Sequence, residues 1–139
     1  MKIFLRIIFV LSIFFNISIA LDFKQTKVIE LKKDEEKKIL VKYNNLTKLF
    51  KFRWTLFKNG GLIIHRSYDK VISQNVLYKR YKNNFFKLEL KTKGADYYDV
   101  PFVLMKFKEF NYQSHTAIFE LFLYDRVGDI SLNYLDETQ

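Results

Sequence analysis

In the chain that follows Ala20, a period-2 alternation of apolar side chains recurs almost everywhere, and no long segment keeps the 3.6-residue period of a helix. That alternation is the strongest constraint on the fold, because it suits half-buried strands and little else. Segments 26–31, 37–43, 49–57, 62–68, 75–81, 85–91, 102–110, 116–124 and 130–134 each read as a short strand. Between them lie the charged turn "KKDEEK", then "NNLT", "NGG", "KNN", "NYQS" and "DRVGD". The segment 68–74 ("YDKVISQ") fits a short strand, a bend or a single helical turn. Segment 116–124 is apolar on both faces, with Ile118, Phe122 and Tyr124 on one and Ala117, Phe119, Leu121 and Leu123 on the other. Such a strand is central or covered on both sides.

Eight to nine short strands with turns at this spacing predict an all-β, single-domain antiparallel β-sandwich of immunoglobulin-like size. The longest loop, 92–101 ("TKGADYYDVP"), is the natural place for a long crossover, and Pro101 blocks ladder pairing at its end. The competing class is α+β, whose helix would have to lie in "VISQNVLYKRYKNNF". There Val71, Ile72, Val76 and Tyr78 do not hold one helical face.

Composition sets the compartment. The opening "MKIFLRIIFVLSIFFNISIA" carries Lys2 and Arg6, an apolar run from Ile7 to Phe15, a break at Asn16 and the small-x-small site Ser18-Ile19-Ala20. This is the pattern of a secretory signal peptide, a helix cleaved after Ala20, and the run is shorter than the ~20 apolar residues of a membrane span. Cleavage leaves 21–139 as one domain, destined for the periplasm or secretion. Without Lys2 and Arg6 the 24 basic residues fall to 22, against 15 acidic ones, a net charge of +7. Usage skewed toward Lys, Asn, Ile, Phe and Tyr points to a low-GC bacterial genome. The chain has no cysteine, which removes disulfides, thiolate metal sites and cysteine nucleophiles. With 49% hydrophobic residues the core alone has material enough to hold the domain.

No catalytic set, cofactor motif or metal-ligand spacing is visible, and the protein reads as non-enzymatic. His65 and His115 stand 50 residues apart, outside any ligand spacing. Gly60-Gly61 precedes a strand rather than a helix, so it is no phosphate loop. Asn45-Leu46-Thr47 meets the minimal glycosylation pattern and marks an exposed turn. Three places remain as a partner surface: Arg66; Arg80 and Lys82 in the basic, aromatic stretch "LYKRYKNNFFK"; and Asp96, Tyr97, Tyr98 and Asp99 in "GADYYD". The basic stretch superficially fits a nucleic-acid surface. Export argues instead for an anionic envelope polymer or another envelope protein, with no nucleic-acid partner.

The hairpin "RWTLFKNGGLIIHRSY" has two registers. A three-residue loop Asn59-Gly60-Gly61, with Gly61 left-handed, pairs Leu56 with Ile64, Trp54 with Arg66, Phe52 with Tyr68 and Thr55 with His65. Arg66 then lies beside the Trp54 ring. A two-residue loop puts His65 opposite Trp54 and Arg53 opposite Arg66, and the opposed like charges favour the first register. Either way Phe50, Phe52, Trp54 and Leu56 form the core face.

The succession of "KKDEEKK", a strand, "NNLT" and a strand containing Trp54 resembles the opening of immunoglobulin-like exported domains, including the chagasin-type cysteine-protease inhibitors. The inhibitor loop of that family reads Asn-Pro-Thr-Thr-Gly-Tyr-x-Trp; here "NNLTKLFKFRW" lacks the Pro and Gly. The resemblance implies a sandwich presenting loops 44–48, 92–101 and 111–115 at one end. The leading expectation is an exported, non-catalytic binding or assembly module for a protein or envelope component. The alternatives are a protease inhibitor of immunoglobulin type and an envelope-polymer hydrolase using Asp96, Asp99 and one His.

Overall fold

The computed structural model describes residues 22–91 and 99–135. The signal segment and its cleavage site lie outside the described residues, as do Asp96, Tyr97 and Tyr98. Nine strands occur among the described residues: β1 Gln25–Lys32, β2 Lys37–Tyr43, β3 Leu46–Lys58, β4 Gly61–Tyr68, β5 Val71–Tyr78, β6 Phe85–Glu89, β7 Phe102–Asn111, β8 Thr116–Tyr124 and β9 Ser131–Leu135. They make two antiparallel sheets, β1-β8-β7-β6 and β5-β4-β3-β2-β9, so the sandwich is all-β. No helix occurs among the described residues, and the segment that a helix would have needed is strand β5 and the turn after it.

Each sheet is a meander with one foreign strand. Strands β2 to β5 follow one another in the five-stranded sheet, and β6 to β8 follow one another in the four-stranded sheet. Strand β1 then pairs with β8, and β9 with β2. The chain therefore crosses between sheets at 33–36, 79–84 and 125–130. The loop 92–101 is not a crossover, as its length suggests, but the connection between the paired neighbours β6 and β7. This connectivity also differs from the Greek key of immunoglobulin domains.

Strand directions follow from the pairing. One end of the sandwich carries 33–36, 59–60, 79–84 and 112–115; the other carries 44–45, 69–70, the β6–β7 connection and 125–130. The first is called here the upper end. Loop 111–115 thus lies at the opposite end from 44–48, which overturns the single loop cluster implied by the inhibitor resemblance.

The core lies between the sheets and is mostly aromatic. Phe50 and Phe52 stack at 5.4 Å, and Phe52 meets Phe119 of the opposite sheet edge-on at 5.7 Å. Trp54 is buried, and its indole N–H donates to Leu31 O at 2.9 Å, which ties β3 to β1 across the sandwich. Burying that ring is favourable because its polar edge is satisfied.

Two of the three two-residue hairpins in the five-stranded sheet depart from the expected strand reading. Asn59 and Gly60, both with positive φ (52° and 75°), form a two-residue turn closed by Lys58 and Gly61. The three-residue loop expected from sequence is therefore not used. A β-bulge at Thr55 supplies the offset instead: Trp54 pairs with Ile64, Arg53 with His65 and Phe52 with Arg66. Arg66 accordingly lies beside Phe86 of β6, its Cζ 4.3 Å from the ring centroid, and not beside Trp54. The second hairpin turns at Asp69 and Lys70 (φ 49° and 68°), which starts β5 at Val71, four residues before the expected strand.

Candidate functional site

The bulge at Thr55 also decides what faces inward at the upper end. Beyond it Leu56 is exposed, contrary to its place in the expected core face, and Phe57 turns toward the opposite sheet. A second bulge lies across from it, between Phe107 and Glu109 of β7, so that Phe107 and Phe110, three residues apart, both point inward. Phe57 and Phe110 consequently stack at 4.2 Å with their planes 14° apart. Trp54 supports the stack from below, edge-on to Phe110 at 5.6 Å, and Tyr112 closes its outer side at 5.1 Å from Phe110.

The facing wall comes from the β5–β6 connection. The Tyr78 N–H donates to Asn83 O and the Tyr81 N–H to Tyr78 O, folding 78–84 into a compact turn. The Tyr78 and Tyr81 rings stand edge to face at 5.8 Å. Gly61, paired with Tyr78, is what lets this ring lie down: a Cβ there would come within 2.7 Å of Tyr78 Cε1. Between the two walls is a cleft of about 470 Å³, with Lys79 and Arg80 on its rim. Tyr81 (68% exposed) and Tyr112 (70% exposed) leave ring faces open to solvent on either side. Among the described residues neither Lys79 nor Arg80 has a carboxylate partner.

Aromatic faces bordered by two cations can bind an apolar or CH-rich surface carrying negative charge. The described lining holds no carboxylate or histidine. More widely, no group of three or more His, Asp or Glu side chains suited to a metal occurs among the described residues.

A second cleft, of about 360 Å³, opens toward the lower end between β4, β5 and β6. Its two lysines are already paired. Lys48 reaches Asp69 at 2.6 Å, and Lys91 reaches Asp129 at 2.8 Å. Lys91 also lies 5.2 Å from the Tyr43 ring, and Lys48 lies 5.7 Å from that of Tyr68. The hydrogen bond to Asp69 raises the Lys48 pKa above its ordinary value. Tyr68 donates its hydroxyl to Leu90 O at 2.7 Å, and burial pushes its pKa well above the usual tyrosine range. Arg66 lines this cleft, its Nε–H donating to Asn75 Oδ1 at 2.8 Å; burial lowers its pKa, although a guanidinium stays charged.

The described residues among the candidate partner-surface positions lie in different parts of the sandwich. Arg80 borders the upper cleft and Lys82 is exposed in the same turn. Arg66 belongs to the lower cleft. Asp99 is also at the lower end, where it accepts the Tyr124 hydroxyl at 3.0 Å and raises that tyrosine's pKa, with Arg126 at 3.8 Å. His115 sits at the upper end with its Nδ1 2.7 Å from Tyr112 O, and His65 is on the outer face of the five-stranded sheet opposite Arg53. Neither histidine shares an end of the sandwich with Asp99 in a catalytic arrangement. Sequence reasoning singled out the Arg80 segment but missed Phe57, Phe110 and Tyr112. The three-residue spacing of Phe107 and Phe110 in an otherwise alternating strand was the available sign of a bulge.

Comparison with protein-family models, with curated proteins and with solved structures returns no match.

Proposed function

We propose that this protein is an exported, non-catalytic binding module that engages a protein or anionic envelope component through the upper cleft. The observation that carries the reading is the pairing of open aromatic walls with Lys79 and Arg80, cations that have no carboxylate partner among the described residues. Aromatic surface left exposed on a stable domain costs solubility, and it is usually retained for contact. The secretory pattern of residues 1–20 and the net positive charge support an anionic partner in the envelope.

The test joins export and binding. A reporter active only outside the cytoplasm, fused after Gln139, reports export with and without residues 1–20. The wild-type domain and an Arg80→Glu, Tyr81→Ala variant are then used to capture material from envelope fractions of the producing cell. Stoichiometric capture by the wild type and its loss in the variant supports the reading. Equal capture by both overturns the role of the cleft, and a reporter active without residues 1–20 overturns export.

A further inference from the structure

The sandwich has four sheet edges, and three are blunted. Edge strand β1 carries Lys27, Glu30 and Lys32 among its eight residues. Strand β6 is five residues long with Lys87 and Glu89, and β9 is also only five residues long. Short strands and charges are how sheets avoid pairing with foreign strands. Strand β5, "VISQNVLY", has eight residues with no charge, no Pro and no Gly, in a chain that is 28% charged. Val71 is 71% exposed and Ile72 78% exposed.

The hydrogen-bonding parity of β5 is fixed. The two-residue turn Asp69-Lys70 is closed by Tyr68 and Val71, so Val71, Ser73, Asn75 and Leu77 bond toward β4. Ile72, Gln74, Val76 and Tyr78 direct their N–H and C=O groups outward. Tyr78 is satisfied by the following turn, its N–H on Asn83 O and its C=O accepting from the Tyr81 N–H. Ile72, Gln74 and Val76 find no backbone partner among the described residues.

We propose that β5 pairs antiparallel with β5 of a second copy of this chain, about a two-fold axis through Gln74. In that register Gln74 faces Gln74, and Ile72 faces Val76 in both directions. Each is a pair that exchanges two N–H···O bonds, so every free outward group of Ile72, Gln74 and Val76 on both copies is satisfied. A register moved two residues either way leaves some of these groups unpaired or opposes them to the occupied Tyr78. The same parity places Ile72 and Val76, which share the outer face, in cross-strand contact, and brings the Asp69 end of one strand to the Lys79 end of the other. The identical, charge-free, self-complementary strand favours a second copy over an unrelated strand. The two five-stranded sheets become one continuous sheet across the axis.

Cysteine scanning tests the register, because the natural chain has no thiol. Residues in a hydrogen-bonded antiparallel pair have Cα atoms about 5.5 Å apart, within disulfide range. Under mild oxidation Gln74→Cys is expected to cross-link to a covalent dimer. Ile72→Cys and Val76→Cys are each expected to stay uncross-linked alone and to cross-link when mixed. Sedimentation equilibrium of the full domain is expected to give a dimer, and Gln74→Pro, which removes the N–H donors at the axis, to weaken it about 100-fold at roughly tenfold per lost bond. Lys27→Ala on the β1 edge is expected to leave it unchanged. A wild-type monomer at all concentrations, a dimer indifferent to Gln74→Pro, or cross-linking without preference for position 74 overturns the proposal. Ligand capture by the upper cleft is read separately with the Arg80→Glu, Tyr81→Ala variant, so failure of the dimer and failure of that reading are told apart.

Discussion

Both clefts hold tyrosine, lysine and arginine in their linings, yet they differ in what their lysines are doing. At the lower cleft Lys48 and Lys91 each hold a carboxylate, and the Tyr68 hydroxyl is given to Leu90 O. At the upper cleft Lys79 and Arg80 have no such partner among the described residues, and Tyr81 and Tyr112 keep their faces open. The lower cleft is knit together by its own groups. The upper one keeps interactions that no described group takes up, and the proposed binding role rests on that difference.

Substitutions at the two ends separate these roles. The largest effect is expected at Trp54, which braces the upper stack: Trp54→Ala should destabilise the domain by about 3–5 kcal/mol, read from denaturant unfolding, and should abolish capture by the upper cleft. At the lower cleft, Tyr68→Phe leaves the Leu90 carbonyl without its donor and should cost about 1–2 kcal/mol. Lys48→Met removes a pair whose Asp69 side chain is half exposed, and should cost less than about 1 kcal/mol. The smallest change in stability, within about 0.5 kcal/mol, is expected for Arg80→Gln, where the loss should appear in binding alone. A large stability loss in Arg80→Gln would erase the distinction between the two ends.

Alkaline pH sharpens the same contrast. Burial raises the pKa of Tyr68 and Tyr134 above the usual 10.0, and Asp69 raises that of Lys48 above 10.5. In each case the folded state holds its proton at a pH where the unfolded chain has released it. Stability is then complete below about pH 10 and declines as the pH rises beyond it. A thermal melt series from pH 8 to pH 12 should show this fall, and Tyr68→Phe should make it shallower. A fall of unchanged steepness in Tyr68→Phe would remove Tyr68 from the account.

Local pattern carries far in this chain. Strands β2 and β8 coincide with segments 37–43 and 116–124, because their alternation is unbroken and turn residues bound both ends. The misreadings within the strands share one cause, the rules that shift register. The Asp69-Lys70 turn lacks the Asn-Gly or Asp-Gly signature, so β5 was placed too late. The bulge at Thr55 let a two-residue loop exist without opposing Arg53 to Arg66, which sequence parity alone had made its cost. The upper cleft was legible on its Tyr78–Tyr81 side, where basic and aromatic residues are contiguous. Its other wall depends on two bulges from strands about fifty residues apart, and no single segment displays it.

The exchange of β1 and β9 between the meanders has a kinetic consequence. Gln25 pairs with Leu123, and Lys38 with Leu135, so both ladders join positions nearly a hundred residues apart. Closing such contacts requires almost the whole strand region to be present, and the entropy of that closure is met before any of its bonds form. The meanders β2–β5 and β6–β8 are local and can assemble early, but each keeps one sheet edge open until the final strands arrive. Completion should therefore be the slow, committing step, and the finished domain should open from these same two ladders.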